Sequence, residues 1–222
     1  MTTGFESLRG KHAGSWALVI GQGPSKSETP ALTGCVELVT NDGSSHRPDA
    51  EYAVILDRPR QLLRNKRVGQ IVRARSKTLI YDNNFRIWKS WAEEYGDAHA
   101  KKWIEEVIPF QARRRLPRSR RFPNGDPLDD WREGIIPYFL GTPFACCSIA
   151  AWLGATRVGV LGVDMDDPER WSEDVRDESR QQYRRLWSLL GSTGVELVSL
   201  SAKNVFHEVI PHESVGTFAG GP

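Results

Sequence analysis

A glycine turn follows the first apolar run of the sequence, in the stretch WALVIGQGPS at residues 16–25. Gly21 and Gly23 can adopt positive φ and let a ligand approach the backbone, whose exposed N–H groups suit phosphate or a nucleotide. Gln22 and Ser25 add side-chain hydrogen-bonding groups. The spacing is neither G-x-G-x-x-G nor G-x-x-x-x-G-K-[ST], so it indicates neither a dinucleotide site nor a kinase P-loop. The alternative is a tight turn without a ligand.

Polar residues also follow two later apolar runs. Asn41 and Asp42 stand in TNDG at residues 40–43, and Asp57 stands in LDRP at residues 56–59. If these runs are parallel strands, the three side chains lie at the same sheet edge as the glycine turn, where they can hydrogen-bond ribose hydroxyls or a base. The alternatives are turn chemistry for Asn41 and Asp42 and a helix cap for Asp57.

The richest segment is GTPFACCSIAAWLGATRVGVLGVDMDDP at residues 141–168. Thr142 is expected to cap the amino terminus of the helix that follows, which creates an anion site. Asp164 and Asp166 are candidate ligands for Mg²⁺ beside phosphate oxygens and candidate general bases. His46, close after the second apolar run, is a third candidate base. For the aspartates, the alternative is an acidic loop preceding a helix.

Arginines are concentrated in RRRLPRSRR at residues 113–121, which begins with Arg113, Arg114 and Arg115. Guanidinium groups pair with phosphate through two hydrogen bonds, so this stretch is suited to clamping a pyrophosphate or a polyanionic acceptor such as DNA or a glycan. The alternative is a solvated loop paired with the acidic residues nearby.

The elements that must position these residues form an α/β pattern. Short apolar runs predict strands over residues 15–20, 35–41, 50–56, 78–83, 157–163 and 195–201, and helical patterns over 144–155 and 172–190 lie between the later ones. This alternation predicts a Rossmann-like, mostly parallel sheet flanked by helices. Residues 84–137 are expected to form a helical, Arg-rich insertion, with a loop from residue 111 onward, and the tail GTFAGGP is expected to be frayed.

The composition narrows the class of protein. A chain of 222 residues with 30 Lys+Arg and 28 Asp+Glu, a net charge of +2, is expected to be a single domain without a general attraction for nucleic acid or membrane. The three cysteines do not form a disulfide framework, because two of them are adjacent. No apolar stretch reaches the roughly 18 residues of a membrane span. We therefore expect a cytoplasmic protein.

The motifs IGQGPS, TND, LDR, GTPFACCSIAAWLGATRVGVLGVDM and VELVSLSAKNVFHEVIP occur in an order that resembles bacterial lipooligosaccharide sialyltransferases. The chain is also similar to the related domain of flagellin-glycosylating motility accessory factors and to archaeal-type 6-hydroxymethylpterin diphosphokinases. The resemblance covers roughly residues 16–83 and 138–211.

The resemblance implies that the nucleotide of a CMP-sugar is held by Gly21, Gln22, Gly23, Ser25, Asn41 and Thr142. Gln22 stands where those enzymes commonly carry Asn, and residues 166–183 contain no His to match their catalytic one. The resemblance as a whole predicts a nucleotide-dependent transferase that moves a sugar from a nucleotide-sugar donor. The alternatives are a Mg²⁺-dependent diphosphokinase and a non-catalytic module that binds a nucleotide or nucleic acid.

Overall fold

The structure is a computed structural model. It describes residues 5–28, 32–41, 43, 46–47, 49–56, 78–82, 108–113, 135–137 and 141–219.

Within these residues, eight strands form one sheet in which each neighbouring pair runs parallel. They are β1 (Trp16–Ile20), β2 (Cys35–Thr40), β3 (Tyr52–Ile55), β4 (Thr78–Asp82), β5 (Ile108–Arg113), β6 (Ile135–Pro137), β7 (Arg157–Leu161) and β8 (Glu196–Ser199). Their order across the sheet is β6-β5-β4-β3-β2-β1-β7-β8. The prediction of a Rossmann-like parallel α/β fold is confirmed.

The direction of the chain across the sheet reverses at β1. The strands from β2 to β6 extend to one side of β1, and β7 and β8 then occupy the other side. Ile20 pairs with Val39 of β2 and with Leu161 of β7, so the carboxyl ends of these three strands are level. In open parallel sheets, ligands bind beyond the carboxyl ends of the strands at such a reversal point.

Helix α1 (Thr142–Trp152) connects this edge of the sheet to the opposite one. All of its residues except Pro143 are buried, and it packs on β1, β2, β3 and β7. Its small residues, such as Ala145, Ala150 and Ala151, suit close packing on a sheet. At its far end, the backbone N–H groups of Gly10, His12 and Gly14 donate to the O atoms of Trp152, Leu153 and Gly154, so the N-terminal segment satisfies the carbonyls where the helix ends.

Helix α2 (Glu173–Ser192) connects β7 to β8 and buries Tyr183, Leu186 and Leu190, as its apolar spacing predicts. Tyr183 stacks on Phe206 with ring centroids 3.8 Å apart. Trp187, another apolar residue of this helix, differs from them and is 40% exposed. The spacing explains this difference, since Trp187 follows Leu186 by one residue and therefore points about 100° away around the helix.

Two expectations about segment structure are wrong. Residues 108–113 and 135–137 lie in the predicted helical and Arg-rich insertion, but they form β5 and β6 at the edge of the sheet. The tail was expected to be frayed, but Val215–Ala219 forms a short helix, α3, and its Phe218 is fully buried. Phe218 packs on Trp16, with ring centroids 5.3 Å apart, so an aromatic contact anchors the tail. The helices predicted within residues 84–107 lie outside the described residues.

Candidate functional site

The glycine turn after β1 packs backbone to backbone against the turn after β7. The N–H of Gly21 donates to Leu161 O at 2.8 Å, and the N–H of Gly23 donates to Gly162 O at 2.7 Å. A Cβ at Gly21 would lie 2.2 Å from Gly162 O, which no side chain tolerates. The expectation that these two N–H groups face a ligand is therefore wrong. The two glycines allow the ends of β1 and β7 to approach each other.

Ser25 and Asp164 fasten the same two turns together. Ser25 donates its N–H to Asp164 Oδ2 at 2.6 Å and its hydroxyl to Asp164 Oδ1 at 2.5 Å. The hydroxyl oxygen of Ser25 also accepts the N–H of Gly162 at 3.0 Å. Ser25 is fully buried and Asp164 is 5% exposed. Both oxygens of the Asp164 carboxylate thus accept hydrogen bonds from within the protein.

The side chain of Gln22 crosses from β1 to β2. Its Nε2 donates to Thr40 O at 2.6 Å and lies 3.3 Å from Thr40 Oγ1. Because a carbonyl oxygen only accepts, the amide nitrogen must face Thr40 and the amide oxygen Oε1 must point elsewhere. A Cβ at Gly43 would lie 2.7 Å from Gln22 Nε2, so the glycine at 43 leaves room for this arrangement. The amide oxygen of Gln22 can therefore accept a hydrogen bond from a ligand, whereas its amide nitrogen is used to bind Thr40.

Asn41 ties the ends of β2 and β3 to the start of α1. Its Nδ2 donates to Thr142 Oγ1 at 3.1 Å, and its Oδ1 accepts the N–H of Leu56 at 3.4 Å. Its φ of 47° lies in the left-handed region, which asparagine adopts more readily than most other non-glycine residues. Asn41 is 8% exposed and Thr142 3% exposed. We call Gln22, Asn41 and Thr142 the carboxyl-edge cluster.

The start of α1 differs from the expected cap. Gly141, with φ of 89°, occupies the N-cap position, and Thr142 is the first residue of the helix. The expectation that Thr142 caps the helix is therefore wrong. No side chain caps this end, and the Thr142 hydroxyl oxygen instead accepts a hydrogen bond from Asn41. A hydroxyl that accepts one bond can still donate its own proton.

The remaining candidates are two exposed residues, the end of a strand, and residues outside the described ranges. Asp166 is exposed in the loop after Met165, and His46 is exposed in the turn that its N–H closes on Gly43 O at 2.9 Å. Within the described ranges, no three His, Cys, Asp or Glu residues come together as a group that could hold a metal ion. Arg113 is the last residue of β5. Asp42, Asp57, Arg114 and Arg115 lie outside the described residues.

Two residues near the site were not singled out from the sequence. The ammonium of Lys26 donates to Gln22 O at 3.3 Å, at the glycine turn. Asn204 is fully buried, donates to Val160 O at 2.8 Å and accepts the N–H of Val163 at 3.0 Å, which holds the end of β7. The signal for Lys26 was its position three residues after Gly23, one turn along the short helical segment Pro24–Glu28. Asn204 follows β8 among other turn-forming residues and carried no distinctive signal.

No known family profile matches the chain, and no curated protein matches it. The solved structures similar to it include the sialyltransferase CstII from Campylobacter jejuni with the substrate analogue CMP-3FNeuAc, at 13% identity and a TM-score of 0.47 over 89% of this chain and 85% of that one. The same enzyme with cytidine-5′-monophosphate gives 11% identity and a TM-score of 0.47 over 88% and 84%.

None of the helices in the described part of the chain has both the length and the apolar character needed to cross a membrane.

Proposed function

We propose that this protein binds a nucleotide at the carboxyl-edge cluster and transfers a sugar from a nucleotide-sugar donor. The observation that supports this most is the position of the cluster. Gln22 follows β1, Asn41 follows β2 and Thr142 begins α1, so the cluster lies beyond the carboxyl ends of β1 and β2, next to the β1–β7 boundary at which the order of strands reverses. Ligand sites of open α/β sheets lie at such points.

The cluster offers groups of the kind that read a nucleotide. Gln22 Oε1 is an acceptor, the Thr142 hydroxyl has a proton to donate, and Asn41 is held in place by hydrogen bonds to Thr142 and Leu56. Hydrogen bonds from the buried part of the protein fix each side chain in advance, which reduces the entropy cost of binding. We infer that these groups contact the ribose and base of the nucleotide.

Ser25 and Asp164 have a supporting part in this proposal. They hold the glycine turn against β7 through two hydrogen bonds. Asp164 is only 5% exposed, which leaves an acceptor hydroxyl or a Mg²⁺ ion little access to its carboxylate. Among the predicted bases, the exposed Asp166 and His46 are therefore the better candidates for accepting the proton of an acceptor hydroxyl.

The Arg-rich segment has a proposed role in the chemical step. When the sugar leaves, negative charge develops on the phosphate of the nucleotide, and fixed donors or cations stabilise that charge. Arg113, at the end of β5, lies at the carboxyl edge because β5 runs parallel to its neighbours, and Arg114 and Arg115 follow it in sequence. We propose that the positive charge of these arginines helps to stabilise the leaving phosphate.

A ligand screen followed by a transfer assay tests the proposal. CMP, UDP, GDP, ADP and their sugar conjugates are added to the protein, and unfolding temperatures are compared. A ligand at 100 times its Kd stabilises the folded state by about 2.7 kcal/mol, which gives a clear shift. The nucleotide sugar that stabilises the protein is then incubated with it, with and without EDTA, and nucleotide release is measured. We expect release in both cases. Loss of release with EDTA would indicate the diphosphokinase alternative, and stabilisation by none of the ligands would contradict the proposal.

A matched pair of variants locates the ligand. Thr142→Val removes the hydroxyl at the cluster and nearly preserves the shape of the side chain. Thr156→Val makes the same change at an exposed residue before β7, at the opposite edge of the sheet. We expect Thr142→Val to weaken nucleotide binding about tenfold, as loss of a hydrogen bond worth about 1.4 kcal/mol does, and Thr156→Val to leave it unchanged. Equal effects of the two variants would place the ligand elsewhere.

A further inference from the structure

We propose that Lys26 binds the phosphate of the nucleotide, with the backbone N–H of Gln22 as the second donor. This inference rests on the proposed function. It assigns a specific group of the ligand to a residue that neither the sequence motifs nor the resemblance singled out.

The position of the Lys26 side chain supports this assignment. The segment Pro24–Glu28 is a short 3₁₀ helix, and the N–H of Lys26 donates to Gly23 O at 3.1 Å. The half-buried side chain then folds back so that its ammonium lies 3.3 Å from Gln22 O. The cation is thus held at the glycine turn, next to the carboxyl-edge cluster, rather than extended into solvent.

Among the described side chains, none neutralises the charge of Lys26. Across the part of the chain that the structure describes, no carboxylate lies within ion-pair distance of its ammonium. Both carboxylate oxygens of Asp164, in the turn after β7, accept hydrogen bonds from Ser25. A lysine ammonium has three N–H donors, and the long bond to Gln22 O uses one of them. Two donors and a full positive charge therefore remain for an anion.

The backbone of the turn supplies one further donor. The N–H groups of Gly21, Gly23, Ser25 and Lys26 all donate within the protein, and residue 24 is a proline with no N–H. The N–H of Gln22 takes part in no hydrogen bond among the described residues. Within the described ranges, the N–H of Gln22 is thus left without a partner, while its carbonyl accepts a hydrogen bond from the Lys26 ammonium. A backbone N–H beside a lysine is a combination that binds phosphate oxygens.

A comparison of charged and uncharged ligands tests the role of Lys26. Affinities for CMP, UMP, GMP and AMP are measured by calorimetry, each beside the nucleoside without phosphate, for the wild type and for Lys26→Met and Lys26→Arg. The control is Lys11→Met, which removes the same charge from an exposed residue that lies over the ring of Tyr52 near the amino edge of the sheet. We expect Lys26→Met to lower the affinity for the bound monophosphate about tenfold or more and to leave its nucleoside unchanged. Lys26→Arg should retain most of the affinity, and Lys11→Met all of it.

The outcomes separate this inference from the proposed function. Suppose that the wild type binds a monophosphate, and that Lys26→Met either weakens monophosphate and nucleoside binding equally or changes neither affinity. The phosphate then lies away from Lys26, and the inference is overturned while the proposed function stands. If the wild type binds neither monophosphates nor nucleosides, the proposed function fails and the inference fails with it. Raising the salt concentration should also weaken monophosphate binding more in the wild type than in Lys26→Met, because screening acts on the charge contact.

Discussion

Ser25 and Asp164 are 139 positions apart in the chain, yet the N–H and hydroxyl of Ser25 donate to the two oxygens of the Asp164 carboxylate at 2.6 and 2.5 Å. The pair joins the turn after β1 to the turn after β7, the two strands between which the order of the sheet reverses. A buried carboxylate needs such partners, because an unpaired charge in the interior is costly. The pair holds together the turns after β1 and β7, next to the carboxyl-edge cluster.

The Ser25–Asp164 pair should contribute strongly to stability. Ser25→Ala leaves Asp164 Oδ1 without its hydroxyl donor and should lower the free energy of unfolding by about 1–3 kcal/mol. Ser27→Ala is the control, because Ser27 is exposed in the same turn and its hydroxyl donates only to Pro24 O. Urea unfolding of Ser25→Ala, Asp164→Asn and the double variant measures the coupling, which should be about 0.5–3 kcal/mol. Additive effects would show that the two side chains do not act as a pair.

The close approach of β1 and β7 should make Gly21 intolerant of any side chain. Gly21→Ala places a Cβ 2.2 Å from Gly162 O, so the two turns must separate and lose the N–H bond from Gly21 to Leu161 O. We expect a loss of stability above about 3 kcal/mol, or failure to fold. Gly191→Ala is the control. Gly191 lies in α2 with nothing near its Cβ position, so the change should be neutral or stabilising by up to about 1 kcal/mol. Similar melting temperatures for the two variants would contradict the packing described here.

Glu37 should make stability depend on pH. Burial in β2 raises the pKa of its carboxyl above the usual value; Arg47 opposes the shift and Asp49 adds to it. The folded state therefore holds this proton more tightly than the unfolded state. Stability should fall as pH rises from about 4.5 through the raised pKa and should level off above it.

Glu37→Gln tests this dependence, because glutamine does not ionise. We expect the variant to be more stable than the wild type at pH 7 and to lose this advantage as the pH falls towards 4. Glu169→Gln, at an exposed position, serves as the control. Thermal unfolding across this pH range gives the comparison. An advantage that persists at pH 4 would mean that the effect does not come from ionisation of Glu37.

The cysteines should react slowly with thiol reagents in the folded protein. Burial, with a contribution from the charge of Glu37, raises the pKa of Cys35 to about 11, and burial also raises the pKa of Cys146 and Cys147. The thiolate is the reactive form, and at pH 8 a pKa of about 11 leaves about one Cys35 thiol in a thousand ionised. Titration with Ellman's reagent should find three reactive thiols in guanidinium chloride and none reacting rapidly in native buffer. A rapidly reacting thiol in the native protein would contradict the packing of β2 or α1.

The sequence predicted the central sheet well, because its strands carry continuous apolar runs. β1, β2 and β7 each begin within one residue of the predicted position. It did not predict β5, whose residues IPFQAR end in arginine and contain a proline, both of which weaken a strand pattern. β6, IIP, is three residues long and too short for periodicity to show.

The sequence indicated which residues lie at the carboxyl edge of the sheet but not their hydrogen bonding. Asn41 and Thr142 were both singled out, yet the hydrogen bond between them joins residues 101 positions apart, and spacing in the sequence cannot indicate it. The glycine motif suggested N–H groups free for phosphate, whereas the structure uses those of Gly21 and Gly23 to join β1 to β7. A motif specifies which conformations its residues can adopt. The surrounding fold decides which donors remain for a ligand.

The central claim is that a nucleotide binds at the carboxyl edge of β1 and β2. The most direct test is to follow the backbone amide signals of isotopically labelled protein by NMR while a nucleoside monophosphate is added. The amides of Gln22, Asn41 and Thr142 should shift with saturating dependence on concentration, and those of Gly10, Gly14 and Gly154 at the opposite edge should stay in place. Shifts centred on Gly10, Gly14 and Gly154, or no saturable shift at Gln22, Asn41 and Thr142, would contradict the claim.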